Sequence, residues 1–180
     1  MNKNTLIITA FILILFGIGV RLFPHTPNMT PITAIAFTGG LYLGRKWSIA
    51  LPLLVLLASD YLMGFYDWKI MLSVYGSFAI IGLLGFVVAK YRTIFSVGFS
   101  LVGSSVLFFL ITNAAVWAFS PWYAKTVSGL FYSYELGLPF LRNMLLGDVL
   151  YMTALAGVFE GVRLLQASIL SGNCSERVSL

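Results

Sequence analysis

From Ile94 to Phe119 the chain carries no charged residue, and the same holds from Ile70 to Ala89. Uninterrupted apolar runs of this length are the constraint that most narrows the fold, because roughly 20 such residues in a helix cross a hydrocarbon layer of about 30 Å. In lipid the backbone must satisfy its own hydrogen bonds, which leaves helices or a closed barrel. A barrel reads as segments of about ten alternating residues, a pattern absent here. The composition agrees: 59% of residues are hydrophobic, 9% are charged, and the mean hydropathy is +0.95. A soluble domain has about a quarter of its residues charged.

Hydropathy divides the chain into six apolar segments: Thr5 to Phe23, Ile32 to Gly44, Ser48 to Gly64, Ile70 to Ala89, Ile94 to Phe119 and Pro139 to Leu165. The expectation is an all-α polytopic membrane protein of about six spans. Residues 1–165 form a single transmembrane domain and residues 166–180 a polar, frayed cytoplasmic tail. The second segment is short for a span and contains Gly39-Gly40. The first begins like a signal peptide, but Arg21-Leu22-Phe23-Pro24 follows it instead of a small-residue cleavage site, so it reads as an uncleaved span.

Basic residues set the orientation. With the N-terminus inside, Lys3, Arg45, Lys46, Lys90, Arg92, Arg163 and Arg177 lie on the cytoplasmic side, against Arg21, Lys69 and Lys125 outside. That asymmetry follows the positive-inside rule and places both termini inside, in a bacterial cytoplasmic membrane. The net charge of +5 is spread singly or in pairs between apolar runs, which argues against nucleic acid as a partner. The lone Cys174 provides neither a disulfide framework nor a metal site.

Two connections are more than turns. Arg21 to Pro31, RLFPHTPNMTP, holds three prolines that stiffen it and exclude helix. Ser120 to Leu138 is rich in aromatic residues, among them Trp122, Tyr123, Phe131, Tyr132 and Tyr134. It reads as an interfacial belt or as a lid over a site.

The polar residues within the apolar segments gather at one depth. Asp60 lies near the outer end of the third segment, Asn113 near that of the fifth, and Arg142, Asn143 and Asp148 in the first turns of the sixth. At 1.5 Å per residue these lie within roughly 15 Å of the outer edge. Arg21 and His25 join them from the first loop, and the inner half offers Glu160 with Arg163 one turn away. An intramembrane charge costs at least about 2.5 kcal/mol and therefore faces protein or water. The clustering predicts an outward-facing polar pocket. Asn143, Gly147, Tyr151 and Ala154 share one face of the sixth helix, where Gly147 permits close approach.

Structural readings compete with this. Asp60 and Arg142 suit an interhelical ion pair, Asn113 a hydrogen bond to a neighbouring helix, Asp148 the cap of a re-entrant turn, and Trp117 an interface anchor. His25 has no second histidine or cysteine nearby to make a metal site. Gly40-x-x-x-Gly44 and Gly157-x-x-x-Gly161 suit close helix contact. Asn28-Met29-Thr30 matches the glycosylation acceptor pattern by chance. There is no phosphate-binding glycine loop, nucleophile elbow or metal-spaced histidine pair, so neither a catalytic residue nor a cofactor is expected.

Several stretches carry a resemblance. RLFPHTPNMTPITAIAFTGGLYLGRKW (Arg21 to Trp47), SDYLMG (Ser59 to Gly64), FFLITNAAVW (Phe108 to Trp117), YAKTVSGL (Tyr123 to Leu130) and PFLRNMLLGDVLY (Pro139 to Tyr151) resemble a family of small bacterial membrane proteins described as S components of energy-coupling-factor (ECF) transporters. The resemblance implies six helices with both termini inside, and a vitamin-like solute bound near the extracellular face beneath loops. It also implies a transmembrane T component and two ABC-type ATPases as partners. One departure is that Ala10 is followed by Ile14, so the Ala-x-x-x-Ala face common on the first helix of S components is missing.

The expected function is capture of a small, polar, cofactor-like solute, with Arg21, Arg142 and Asn143 holding acidic or carbonyl groups, Asp60 and Asp148 taking amine or hydroxyl donors, and Trp117 and Tyr132 covering an apolar ring. Candidate substrate-binding residues are Arg21, His25, Asn28, Asp60, Asn113, Trp117, Tyr132, Arg142, Asn143 and Asp148. A membrane scaffold of a cell-shape complex and an intramembrane enzyme using Asp60, Asp148 or His25 are the alternatives.

Overall fold

The computed structural model describes the backbone of residues 3–178 and side chains as far as Leu164. The side chains of residues 165–180, including Cys174 and Arg177, lie outside the described residues. The described chain is all helix and loop. Helix α1 spans Lys3–Leu22, α2 Ile32–Thr38, α3 Arg45–Met63, α4 Trp68–Val88, α5 Ile94–Phe119 and α6 Val127–Val178. A π-helical turn, Gly39–Leu43, prolongs α2.

Among the described residues, five helices are long and apolar enough to cross a membrane: α1, α3, α4, α5 and α6 from Val127 to Leu164. The protein is a multi-pass helical membrane protein. The stretch Ile32–Leu43 is different, being a shorter apolar helix that rises roughly 18 Å, about 60% of the hydrocarbon thickness. Every residue from Pro31 to Leu41 is buried, enclosed by α1, α3, α4 and α6. It forms the core of the bundle, with Ile35, Phe37, Leu51, Val55 and Ile81 fully buried around it. The outer surfaces carry Ile8, Phe11, Phe99 and Val158, each more than half exposed, as lipid contact requires.

Between helices in lipid the apolar effect contributes little, and close backbone approach takes its place. The chain achieves this at Gly40, Gly82 and Gly85. A Cβ on Gly40 would come within 2.6 Å of the Gly85 carbonyl carbon, and one on Gly82 within 2.4 Å of the Ser48 oxygen. Pro52 accounts for the second contact. Lacking an N–H, it leaves the carbonyl four residues back, that of Ser48, without its helical donor, and this oxygen faces Gly82 on α4. Of the glycine pairs expected to mediate contact, only Gly40 does so. Gly44 sits at a turn with φ of +99°, while Gly157 and Gly161 face open space.

Local signals fix the helix starts. Asp67 caps α4 by accepting from the N–H groups of Lys69 and Ile70, and Thr93 with Ser96 forms a capping box at α5. Thr126 Oγ1 accepts from Gly129 N at 3.1 Å and begins α6. Helix α6 therefore starts twelve residues before Pro139, the expected start of the sixth segment. Pro139 lies inside the helix, where neighbouring groups tolerate it in a membrane. The backbone continues as helix past Leu165, without a break at the expected start of the tail.

At the opposite end of the bundle, Arg92 donates to the Leu41 carbonyl, and its guanidinium lies 5.9 Å from the Tyr42 ring centroid. It closes the C-terminal end of the short helix. Beside it, the Tyr42 hydroxyl donates to Glu160 Oε1 at 2.7 Å, and Glu160 pairs with Arg163 at 3.1 Å.

Candidate functional site

Helices α1 and α3 end, and α2, α4 and α6 begin, at one end of the bundle. There the proline-rich loop of residues 23–31 turns inward and delivers the chain to the buried start of α2. Asn28, at φ +62°, reverses the loop in the left-handed region that asparagine tolerates, and Met29 N donates to Thr26 O at 3.0 Å. Two residues one turn apart on α6 hold this loop down. Asn143 Nδ2 donates to Pro27 O at 3.1 Å. A Cβ on Gly147 would meet Met29 Cγ at 3.1 Å, so the missing side chain is the seat for Met29. The face shared by Asn143, Gly147 and Tyr151 thus meets the first loop and α1, where Tyr151 packs edge-on to Phe16.

Beneath the loop lies a cavity of about 350 Å³. Its polar lining comes from Arg21, His25, Asn28, Thr30, Thr33, Tyr66 and Asp148, and its apolar walls include Leu56, Val74, Phe78, Phe108 and Met144. The rings of Phe78 and Phe108 stand 5.0 Å apart on the α4 and α5 sides.

Two carboxylates serve the cavity differently. Asp60, on the last turn of α3, is saturated: Arg21 Nη2 donates to Oδ1 at 2.8 Å and the Tyr75 hydroxyl to Oδ2 at 2.9 Å. Asp60 is buried behind Arg21, which itself lines the cavity. The other guanidinium nitrogen, Arg21 Nη1, is buried and has no partner among the described residues. Asp148, 1% exposed, accepts from Ser105 Oγ at 2.7 Å through Oδ2, with the Thr33 hydroxyl beside the carboxyl. Its Oδ1 is buried and unpartnered among the described residues. At the cavity mouth, partial burial and the nearby Asp60 carboxylate push the Tyr66 phenol up to about 12, which keeps it a donor.

Asp148 is deeper than the sequence suggests. With α6 starting at Val127, it lies roughly 30 Å along that helix and faces Ser105 near the middle of α5. It belongs to the cavity floor, beside Thr33 at the start of the short helix, and not to the outermost turns of a span.

Of the ten candidate residues, Arg21, His25, Asn28 and Asp148 line the cavity, Asp60 holds Arg21, and Asn143 holds the loop above it. The other four are elsewhere. Arg142 points to the exposed side of α6, and the partner of Asp60 is Arg21. Asn113 donates to Phe109 O on its own helix at 2.9 Å and packs against Gly137 of α6. Trp117 Nε1 donates to Ala124 O at 2.9 Å. Tyr132 is 54% exposed and meets Tyr123 edge-on at 6.1 Å.

No residue of the aromatic connection is among those that line the cavity. Lys125 fastens the connection to the end of α5 by donating to the carbonyls of Trp117 and Ser120. Thr33, Tyr66, Tyr75 and Ser105 were not among the candidates. Small hydroxyl residues in apolar helices are common, and only the packing of α2 against α6 singles out Thr33. Tyr75 lies two turns into α4 from the capping Asp67, which would have placed it at the depth of Asp60.

The fold and this cavity define a helical membrane protein with a partly open cavity, lined by apolar walls and several polar side chains, at one end of its bundle. The chain belongs to DUF6580, a family of unknown function, whose family model matches residues 1–170. No curated protein and no solved structure matches it.

Proposed function

We propose that the protein is a solute-capture subunit of the ECF S-component type, taking a small vitamin- or cofactor-like solute into the cavity beneath the first loop. The observation that carries this reading is the pairing of space with unmet hydrogen-bonding capacity. A cavity of about 350 Å³ is within the range of small-molecule sites, which are mostly apolar with a few placed polar groups. Two buried polar atoms of its lining residues, Arg21 Nη1 and Asp148 Oδ1, lack protein partners among the described residues. Buried polar groups are otherwise almost always paired, so a solute or its water shell completes them.

With the N-terminus inside, as the basic residues favour, the cavity opens to the outside of a bacterial cytoplasmic membrane. The first loop covers it, and Asn143 and Gly147 set the loop's position. Energy for uptake comes from a T component and two ABC-type ATPases. A loop clamped on α6 above a cavity with unpartnered polar atoms favours this over a scaffold role, which has no use for such a cavity.

The test is independent of the solute's charge. Small molecules released from gently purified, heat-denatured protein are compared by mass spectrometry with those from Val74→Trp, which fills the cavity from its wall. A stoichiometric solute present in the first and missing from a folded, monodisperse variant is the expected result. An empty wild-type preparation that no vitamin or precursor stabilises against heat would refute capture.

A further inference from the structure

The charge balance of the cavity identifies the kind of solute. This inference rests on the capture reading and favours the amine side of the expected binding over the acidic one. Arg21 is the basic residue best placed to bind an acid, yet its charge is matched by Asp60 at 2.8 Å. Arg142, the other cation assigned to the site, is exposed on α6 outside the cavity. Asp148 has the opposite standing. Among the described residues no basic group forms an ion pair with it, since the ion pairs present are Arg21–Asp60 and Glu160–Arg163. Its one described hydrogen bond comes from the Ser105 hydroxyl, with the Thr33 hydroxyl beside the carboxyl.

A buried carboxylate needs a cation or a proton. The walls indicate which form of cation the cavity suits. Phe78 and Phe108 present a ring pair, a favourable surface for an ammonium group and for the body that carries it. An inorganic ion requires a shell of oxygens, and a cavity of about 350 Å³ with walls such as Leu56 and Met144 leaves most of that shell unfilled. Arg21 Nη1 still offers its buried N–H donors, which suit an uncharged acceptor because the arginine's charge is already balanced.

We infer that the cavity takes an organic amine: an ammonium group on Asp148, an apolar or flat body against Phe78 and Phe108, and a hydroxyl or carbonyl oxygen on Arg21. Asp148 reads the charge, and Arg21 positions the opposite end.

Three compounds of one skeleton test this on the intact protein in detergent: tyramine, its alcohol counterpart tyrosol and its acid counterpart 4-hydroxyphenylacetate. Binding is followed by thermal stabilisation and equilibrium dialysis. Tyramine is expected to bind wild type about tenfold or more tightly than either counterpart. In Asp148→Asn, which keeps an acceptor for Ser105, that preference is expected to disappear while tyrosol binding persists. The wild-type comparison stands even if the variant fails to fold.

Equal or tighter binding of the acid or the alcohol overturns the amine assignment and leaves solute capture standing. Stabilisation by sodium over potassium without tyramine, lost in Asp148→Asn, overturns it in favour of an inorganic ion. If none of the three binds, the co-purifying solute decides: a basic nitrogen supports the assignment and its absence refutes it. No binding and no co-purifying solute defeats this inference, and the capture reading falls with it when no vitamin or precursor stabilises the protein against heat.

Discussion

Arg21 and Asp60 meet at 2.8 Å and join the end of α1 to the end of α3 at the rim of the cavity. Helix α1 packs chiefly against α3, so this bond is its polar attachment at that end. The side chains are 16% and 2% exposed, respectively, which makes the pair a nearly dry one. Removing one partner of such a pair strands the other charge. Asp60→Ala is expected to cost about 3–5 kcal/mol, and Arg21→Ala with Asp60→Ala less than the sum of the two singles. Reversible unfolding in micelles, run as a double-mutant cycle, measures the coupling. Strict additivity would show that the two side chains do not act as a pair.

The first loop depends on Asn143 and Gly147, and its neighbour Arg142 plays no part in holding it. Asn143→Ala removes the bond to Pro27 O, and Gly147→Val places methyl groups where Met29 sits. Both variants are expected to raise protease cleavage within residues 23–31 several-fold and to weaken retention of any cavity solute. Arg142→Ala is expected to match wild type in both assays. A loss in Arg142→Ala comparable to that in Asn143→Ala would contradict the placement of Arg142 outside the site.

Glycine contacts divide into those that bear on packing and those that do not. Gly40 lies against the Gly85 backbone, with no flexible side chain there to yield. Gly40→Ala is expected to destabilise by about 1–3 kcal/mol, the range for overpacked interiors, or more. Gly157→Ala meets nothing within 4 Å and is expected to leave the melting temperature unchanged or slightly higher. The two variants, compared by scanning fluorimetry in one detergent, decide the point. Equal effects would mean that the π turn Gly39–Leu43 and α4 are not in backbone contact.

The sequence made the long helices legible because uncharged runs such as Ile94 to Phe119 have few alternatives in lipid. The depth of Asp60 was also legible, since α3 ends close to where hydropathy ends. The rest depended on helix starts. Pro139 has the signature of a first helical turn, but Thr126 caps α6 thirteen residues earlier. That shift moves Asp148 to the cavity floor and places the aromatic stretch largely on helix. Arg142 and Asn143 are adjacent in sequence, and only the rotation of α6 shows which of them faces the loop. The pairing of Asp60 with Arg21 and not Arg142 likewise required knowing that α1 and α3 end side by side.

Arg92 reads in the sequence as one of several inner basic residues, but the fold gives it a particular task. Its guanidinium covers the Leu41 carbonyl at the end of the π turn Gly39–Leu43, where no further helical turn supplies donors. A cation at a helix C-terminus also opposes the partial negative charge there. Arg92→Ala is expected to expose the carbonyl end of the short helix and to speed amide hydrogen exchange across residues 39–44. The effect should fade toward Ile35, whose N–H is held by Pro31 O at 2.8 Å. Arg92→Lys restores the charge but only part of the geometry, because lysine lacks the planar fork that reaches the Ala89 and Leu41 carbonyls together. Intermediate protection is therefore expected. Hydrogen exchange with mass spectrometry resolves this segment, and unchanged exchange in Arg92→Ala would show that the arginine serves topology alone.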